Sequence, residues 1–332
     1  MFGRYLYQAV FLIISAMAVS GCYYMQAARG QLELLNKREP IAELITQNDT
    51  PAELSRRLAL VLEARQFSIQ ELYLPDNDSY RSYAHIDRDY VVWNVFAAPE
   101  FSLQPKSWCF PVAGCVNYRG YFAEDSARHK AAQLNDEGFD VAVGGIAAYS
   151  TLGKFSDPVL NTMMHWEDTD LIAVMFHELA HQLLYVKGDS AFNESFATAV
   201  EEFGIERWLA GRGQNKEIVG YQERRELRKR LMQHVETARQ DLELIYASTL
   251  PPEDMRAGKL QRFKQLNGEL TNEFDQQGGE APAWVNEDLN NARLASMSLY
   301  QGRLAEFRDL FAQCDQDIRC FYRQAKTLSE ET

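Results

Sequence analysis

The residues best suited to chemistry are two histidines bracketing a glutamate, His177-Glu178-Leu179-Ala180-His181. On an α-helix, His177 and His181 lie one turn apart on one face and can share a metal ion. Glu178 sits about 100° round from His177, within reach of a water at that ion. Histidine is scarce, six in the chain, and His85, His129, His165 and His234 lack metal-binding spacing. The flanks set the context. Leu171, Ile172, Val174, Met175 and Phe176 precede the pattern, and Leu183, Leu184 and Val186 follow it. Apolar residues fall almost all round the wheel, which predicts a buried helix. Asp168 or Thr169 can cap its start, and Lys187-Gly188 suits its end.

Two histidines need a third protein ligand. Asn193-Glu194-Ser195-Phe196-Ala197 offers Glu194 on a second helix capped by Ser190 and continuing through Ala199, Val200, Phe203 and Trp208. A short connection over Lys187–Asp189 makes the two helices antiparallel and returns Glu194 to the histidines. Glu201, seven residues on, then serves as hydrogen-bond partner to a ligating imidazole or as a competing ligand. Imidazole and carboxylate ligands with an open fourth position point to a catalytic Zn2+. A zinc-bearing periplasmic scaffold or chaperone-like lipoprotein is the alternative. Structural zinc sites are normally closed by four protein ligands, which weighs against it.

The N-terminus speaks to location. Arg4 and the apolar run Ala9 to Val19, too short to span a bilayer, form a signal peptide over residues 1–21. It ends in Val19-Ser20-Gly21-Cys22, which resembles a bacterial lipobox, with Cys22 as the lipidated residue. Tyr23 rather than Asp follows. By similarity to the sorting rule of Gram-negative lipoproteins, this implies an outer-membrane lipoprotein facing the periplasm. The net charge of −13, with no basic block, argues against nucleic acid and against electrostatic docking on anionic lipid. Four further cysteines form two C-x5-C pairs, Cys109/Cys115 and Cys314/Cys320. Three connectivities are open, and the two local bridges are favoured because each loop is short and holds a turn.

The elements that must position the chemistry read as α+β, mostly helical. Helices are expected at Gln26 to Leu35, Ile41 to Ile45 and Pro51 to Gln66, the last capped by Thr50. Strands are expected at Tyr90 to Phe96, Val116 to Phe122 and Phe139 to Val143, with a helix at Glu124 to Glu137 ended by Gly138. This places a small sheet before the metal helix. Beyond it, Leu227, Leu231, Val235, Ala238, Leu242 and Ile245 line one long helix, and Met255 through Phe274 line another. These make a helical hairpin beside the catalytic core, followed by a helix over Asn290 to Phe311. The expected division is a catalytic core over 22–212 and a helical region over 213–332 that completes the cleft.

His177–Gln182 (H-E-L-A-H-Q) with Asn193–Ala197 (N-E-S-F-A) resembles the paired motifs of aminopeptidase N-type gluzincins, with a shorter spacer between them. Over nearly the whole chain, the sequence resembles the predicted aminopeptidase family of Gram-negative lipoproteins. Gly145 through Gly153, Asp157-Pro158, the two metal motifs and Asn290-Asn291-Ala292-Arg293-Leu294 carry that resemblance. It implies a zincin-like core and a zinc peptidase acting on peptides, with Glu178 as general base. The strand Ala147 to Thr151 would lie along the substrate, so that Gly145, Ala147, Ala148 and Tyr149 touch it, and Asn290 and Asn291 would clamp its backbone. Tyr246, with Tyr221 behind it, is the expected stabiliser of the oxyanion. The gluzincin motif carries an acid for the substrate's amino group, whereas Gly144 to Thr151 has none. An endopeptidase or oligopeptidase therefore stands beside the aminopeptidase.

Overall fold

The computed structural model describes residues 23–110, 114–286, 289–297 and 303–330. Residues 1–21, expected to be a signal peptide, and Cys22 lie outside the described residues. The chain is α+β and mostly helical, as its periodicities predict.

The first helix, α1, is described over residues 23–36. It leads through β1 (Arg38–Pro40) and α2 (Ile41–Leu44) into α3 (Ala52–Gln70). Thr50 does not cap α3: its hydroxyl donates to Leu44 O at 2.7 Å, and Pro51 takes the cap position with its fixed φ. β2 (Ser82–Ala84) follows, then β3 (Val92–Pro99), β4 (Trp108–Phe110), β5 (Gly114–Val116) and β6 (Arg119–Tyr121). The single strand expected over Val116 to Phe122 is thus broken in two. β5 pairs back on β4 across the Cys109–Cys115 disulfide, whereas β6 pairs with β3.

Helix α4 (Glu124–Asp136) ends at Gly138, whose φ of +86° is the left-handed turn glycine permits. β7 (Phe139–Ile146) completes an antiparallel sheet in the order β6-β3-β7, and β8 (Val159–Leu160) runs parallel to β2 in a second sheet with β1. β7 is the edge strand, but it stops at Ile146. The segment Ala147 to Thr151 is irregular, because Ala147 O is drawn to the buried Thr162 hydroxyl (2.6 Å) and Thr151 folds onto Asp157.

The metal helix α5 (Asp168–Leu183) and its partner α6 (Ser190–Gly211) are antiparallel neighbours over much of their length. Their caps shift by one residue. Glu167 precedes α5 without a side-chain cap, and Asp189, not Ser190, caps α6 by accepting from Phe192 N at 2.8 Å. Between the helices, the buried Asn193 side chain binds both Val186 N (2.7 Å) and Val186 O (2.8 Å). This satisfies the turn's backbone and fixes the second helix against the first.

Next comes the expected long hairpin, α7 (Asn215–Tyr246) and α8 (Pro252–Asp275), and then α9 (Ala283–Asn286) and α10 (Asn291–Met297). The helix expected over Asn290 to Phe311 is two helices. α10 ends at Met297, and α11 (Leu304–Gln313) starts anew before α12 (Ile318–Glu330). α11 and α12 are linked by Cys314–Cys320, so both local disulfides are present.

The helices beyond residue 212 pack in two groups. α7 to α10 share a core of Leu231, Val235, Leu242, Phe263, Leu266 and Leu270. α11 and α12 return to α6, where Phe192, Phe196, Phe307 and Phe321 pack ring on ring. No described helix is long and apolar enough to cross a membrane.

Candidate metal centre

Helices α5 and α6 bring His177, His181 and Glu194 together. His177 Nε2 lies 3.2 Å from His181 Nε2 and 3.3 Å from a Glu194 carboxylate oxygen, and His181 Nε2 lies 3.7 Å from the other oxygen. All three ligand atoms lie within 4.8 Å of one another. A tetrahedral zinc site with arms of about 2.0–2.1 Å has ligand-to-ligand edges of about 3.4 Å, so the residues present fit a zinc ion. Glu201, two turns beyond Glu194 on α6, binds His177 Nδ1 at 3.0 Å and accepts from the Tyr221 hydroxyl at 3.0 Å. With Nδ1 held there, His177 turns Nε2 inward, towards His181 and Glu194. His181 Nδ1 is buried without a hydrogen-bond partner among the described residues.

The charges are strongly coupled. Burial opposes a charge on His177, but its bonds to Glu194 and Glu201 prevail and raise its pKa to about 10. His181 is pushed down to about 4 by burial and by the charge on His177. Burial alone would raise Glu194 and Glu201; the His177 hydrogen bonds hold both below the usual carboxylate range.

Glu178 stands beside the ligands. Burial raises its carboxyl to about 7, His177 opposes the rise, and Glu194 and Asp157 add to it. The Ser150 hydroxyl is shared between Glu178 and Asp157. Asp157, 1% exposed, also accepts from the Thr151 amide (2.9 Å) and hydroxyl (2.8 Å). The Asp157-Pro158 pair thus acts locally, folding 150–153 under Glu178 through a turn with Leu152 at φ +54° and Gly153 at φ +75°. Gln182, which follows the second histidine, is clamped by Asn77 (2.8 Å) and Ser79 (3.3 Å). The buried Arg65 of α3 holds that turn through Ser79 O and Asn77 O.

Other expected residues are distributed differently. Tyr246 donates to Asn291 Oδ1 at 2.7 Å and packs on Phe101, and its charged neighbours are Asp140 and Glu100. It belongs to the α7–α10 core and is not brought to His177. Asn291, fully buried, spends its amide on Pro99 O and Glu100 O, and its backbone NH on Asp140. Asn290 caps α10 by accepting from Arg293 N and donates to Val141 O. Both asparagines bind backbone of this chain, tying α10 to the sheet, instead of standing open to a substrate. Gly145 leaves room for the Tyr90 ring, which an added Cβ would meet at 2.4 Å. Ala147 is buried, and Tyr149 packs edge-on against Phe122.

Tyr118 is the residue the sequence did not announce. It follows β5, and its hydroxyl is within electrostatic reach of Glu194, Tyr185, Glu178 and Tyr149. The same hairpin touches the α5–α6 turn, where Lys187 Cε comes within 3.2 Å of a Cβ built on Gly114. Only the Cys109/Cys115 pair marked that loop as rigid.

The class defined here is an α+β chain whose two antiparallel helices bring together three residues that could hold a metal ion, beside an acid of raised pKa. Over residues 22–332 the sequence matches the family model described as "Putative aminopeptidase", and the chain belongs to that family. No curated protein and no solved structure matches it.

Proposed function

We propose that this chain is a zinc-dependent aminopeptidase that hydrolyses peptides at the periplasmic face of the outer membrane, tethered by a lipid on Cys22. One observation carries the peptidase reading: His177 Nε2, His181 Nε2 and the Glu194 carboxylate converge at 3.2–3.7 Å with Glu178 beside them. Family membership supports hydrolysis of peptides. The lipobox-like Val19-Ser20-Gly21-Cys22 supports the address, and the family match begins at Cys22.

His177, His181 and Glu194 would hold the ion. Held there, zinc would supply Lewis acidity, polarising a scissile carbonyl and lowering the pKa of a water from 15.7 towards about 7. Glu178 takes a proton from the attacking water and passes it to the leaving amine; a pKa of about 7 suits both transfers. Glu201 holds His177 in one tautomer and one ring orientation. Tyr118, within electrostatic reach of Glu194 and Glu178, would donate to the developing oxyanion.

Metal analysis with a peptide digest tests this reading. Glu178→Gln is expected to retain zinc and to lose turnover by about 10²- to 10⁴-fold. Turnover at the wild-type rate, or wild-type protein that takes up no metal, sinks it. Because Gly144 to Thr151 carries no acid, the same digest is run on N-acetylated peptides. Equal cleavage makes the enzyme an endopeptidase.

A further inference from the structure

Tyr23, the residue after Cys22 and the first described one, is already helical. A lipid on Cys22 is therefore separated from the folded body by no linker. α1 is also fastened to the sheet at that end. The Tyr23 ring stacks on Phe110 at 5.5 Å and meets Tyr121 edge-on at 5.6 Å. The Arg119 guanidinium sits 4.1 Å over the same ring. Gln26 donates to Gly120 O at 3.4 Å and accepts from Phe122 N at 3.0 Å.

The opposite side of α1 is open. Tyr24, Met25, Ala28, Arg29, Leu32 and Asn36 lie along it at helical spacing. Met25 is 71% exposed, Leu32 56% and Tyr24 45%. The stripe carries one cation and no acid, in a chain of net charge −13. A helix with Tyr, Met and Leu on one face and an Arg beside them suits the boundary between headgroups and acyl chains. There the apolar side chains leave water and the guanidinium meets phosphate.

We propose that this stripe of α1 docks on a phospholipid bilayer and holds the body flat against the membrane that carries the Cys22 lipid. The inference rests on the lipid-anchor part of the proposed function and is independent of the peptidase part. It puts the β4–β5 hairpin, on which Tyr23 packs and which carries Tyr118 towards the metal centre, on the membrane-proximal flank. Peptides held at the bilayer surface are then the substrates best placed for cleavage.

The test uses full-length protein matured in a Gram-negative host and reconstituted in nanodiscs of phosphatidylethanolamine and phosphatidylglycerol. Single cysteines at Met25, Leu32 and, as a distant control, the 74% exposed Leu244 carry an environment-sensitive fluorophore. Met25→Cys and Leu32→Cys labels should shift to the blue and be quenched by a lipid-borne quencher several-fold more than the Leu244→Cys label. A Gly/Ser insert between Cys22 and Tyr23 separates docking from mere tethering, and the contrast should survive it if the stripe itself binds lipid. Equal quenching at all three positions overturns the proposal while leaving the anchor intact. An unmodified Cys22 by mass spectrometry overturns anchor and docking together, with the peptidase reading untouched.

Discussion

His177 is the most constrained side chain of the centre. Glu201 holds its Nδ1, and Glu194 and His181 face its Nε2. Without metal, the two carboxylates keep it protonated up to about pH 10, against the pull of burial. A metal needs the lone pair that this proton occupies. Zinc uptake at pH 7 is therefore expected to release about one proton from His177. Below about pH 10, apparent zinc affinity should rise about tenfold per pH unit on this account. Titration calorimetry in buffers of different ionisation enthalpy reads the proton directly; a release of zero would show that Glu194 and Glu201 do not hold His177 as imidazolium. Tyr118 makes a second test. Burial first, and then Glu194, push its hydroxyl up to about 12, so it stays a donor through the neutral range. Tyr118→Phe is expected to lower kcat by about 10²-fold with KM and zinc content little changed. An unaltered kcat would return Tyr118 to the wall of the cleft.

Among the elements, the angle between α5 and α6 decides whether Glu194 meets the histidines. The turn between them has little secondary structure of its own, and Asn193 closes it with two bonds to Val186. Asn193→Ala leaves the half-buried Val186 NH unpaired and its carbonyl with only the Asp189 amide at 3.3 Å, a cost of about 1 kcal/mol. The expected outcome is a lower Tm together with weaker zinc binding, since the same turn sets the position of Glu194. A lower Tm at full zinc affinity would mean that packing alone fixes the helix pair. The edge strand is a contrasting case. Carbonyls of Val141 and Val143 on β7 accept from Asn290 and Arg293 of the α10 segment, so this half of the edge is already covered.

At the scale of the whole molecule, Glu202 links regions far apart in sequence. It is 4% exposed, and its oxygens receive Arg225 of α7 at 2.9 Å and Arg308 of α11 at 2.7 and 2.9 Å. Glu202→Gln keeps the volume but takes the carboxylate from Arg308 and leaves Arg225 with Glu206 alone (2.8 Å). A loss of about 3 kcal/mol is expected, read as a shift of the denaturant midpoint at unchanged m-value. A shift within experimental error would assign the joint to the aromatic packing of Phe307 and Phe321 instead.

What was legible in the sequence was local. The spacing of His177 and His181, the apolar frame of their helix and the seven-residue step from Glu194 to Glu201 are properties of one helix or of two joined by a short turn. The stripes of α7 and α8 are periodic over many turns and leave little choice of element. Both C-x5-C pairs lie in loops short enough to close on themselves. What only the tertiary structure decided depends on residues far apart in the chain. Tyr246 is a tyrosine on the helix after the metal motifs, which is why it looked suitable, yet its hydroxyl goes to Asn291, 45 positions on. Asn290 and Asn291 look like substrate clamps by type, but the carbonyls they bind belong to β3, β7 and their flanking turn. Tyr118 comes within electrostatic reach of Glu194 and Glu178 beside a disulfide hairpin that meets a turn some 70 residues downstream, from Gly114 to Lys187. Helical and strand periods are set by backbone geometry within a few residues, whereas the partner of a buried hydroxyl or amide is set by which chain segments pack together.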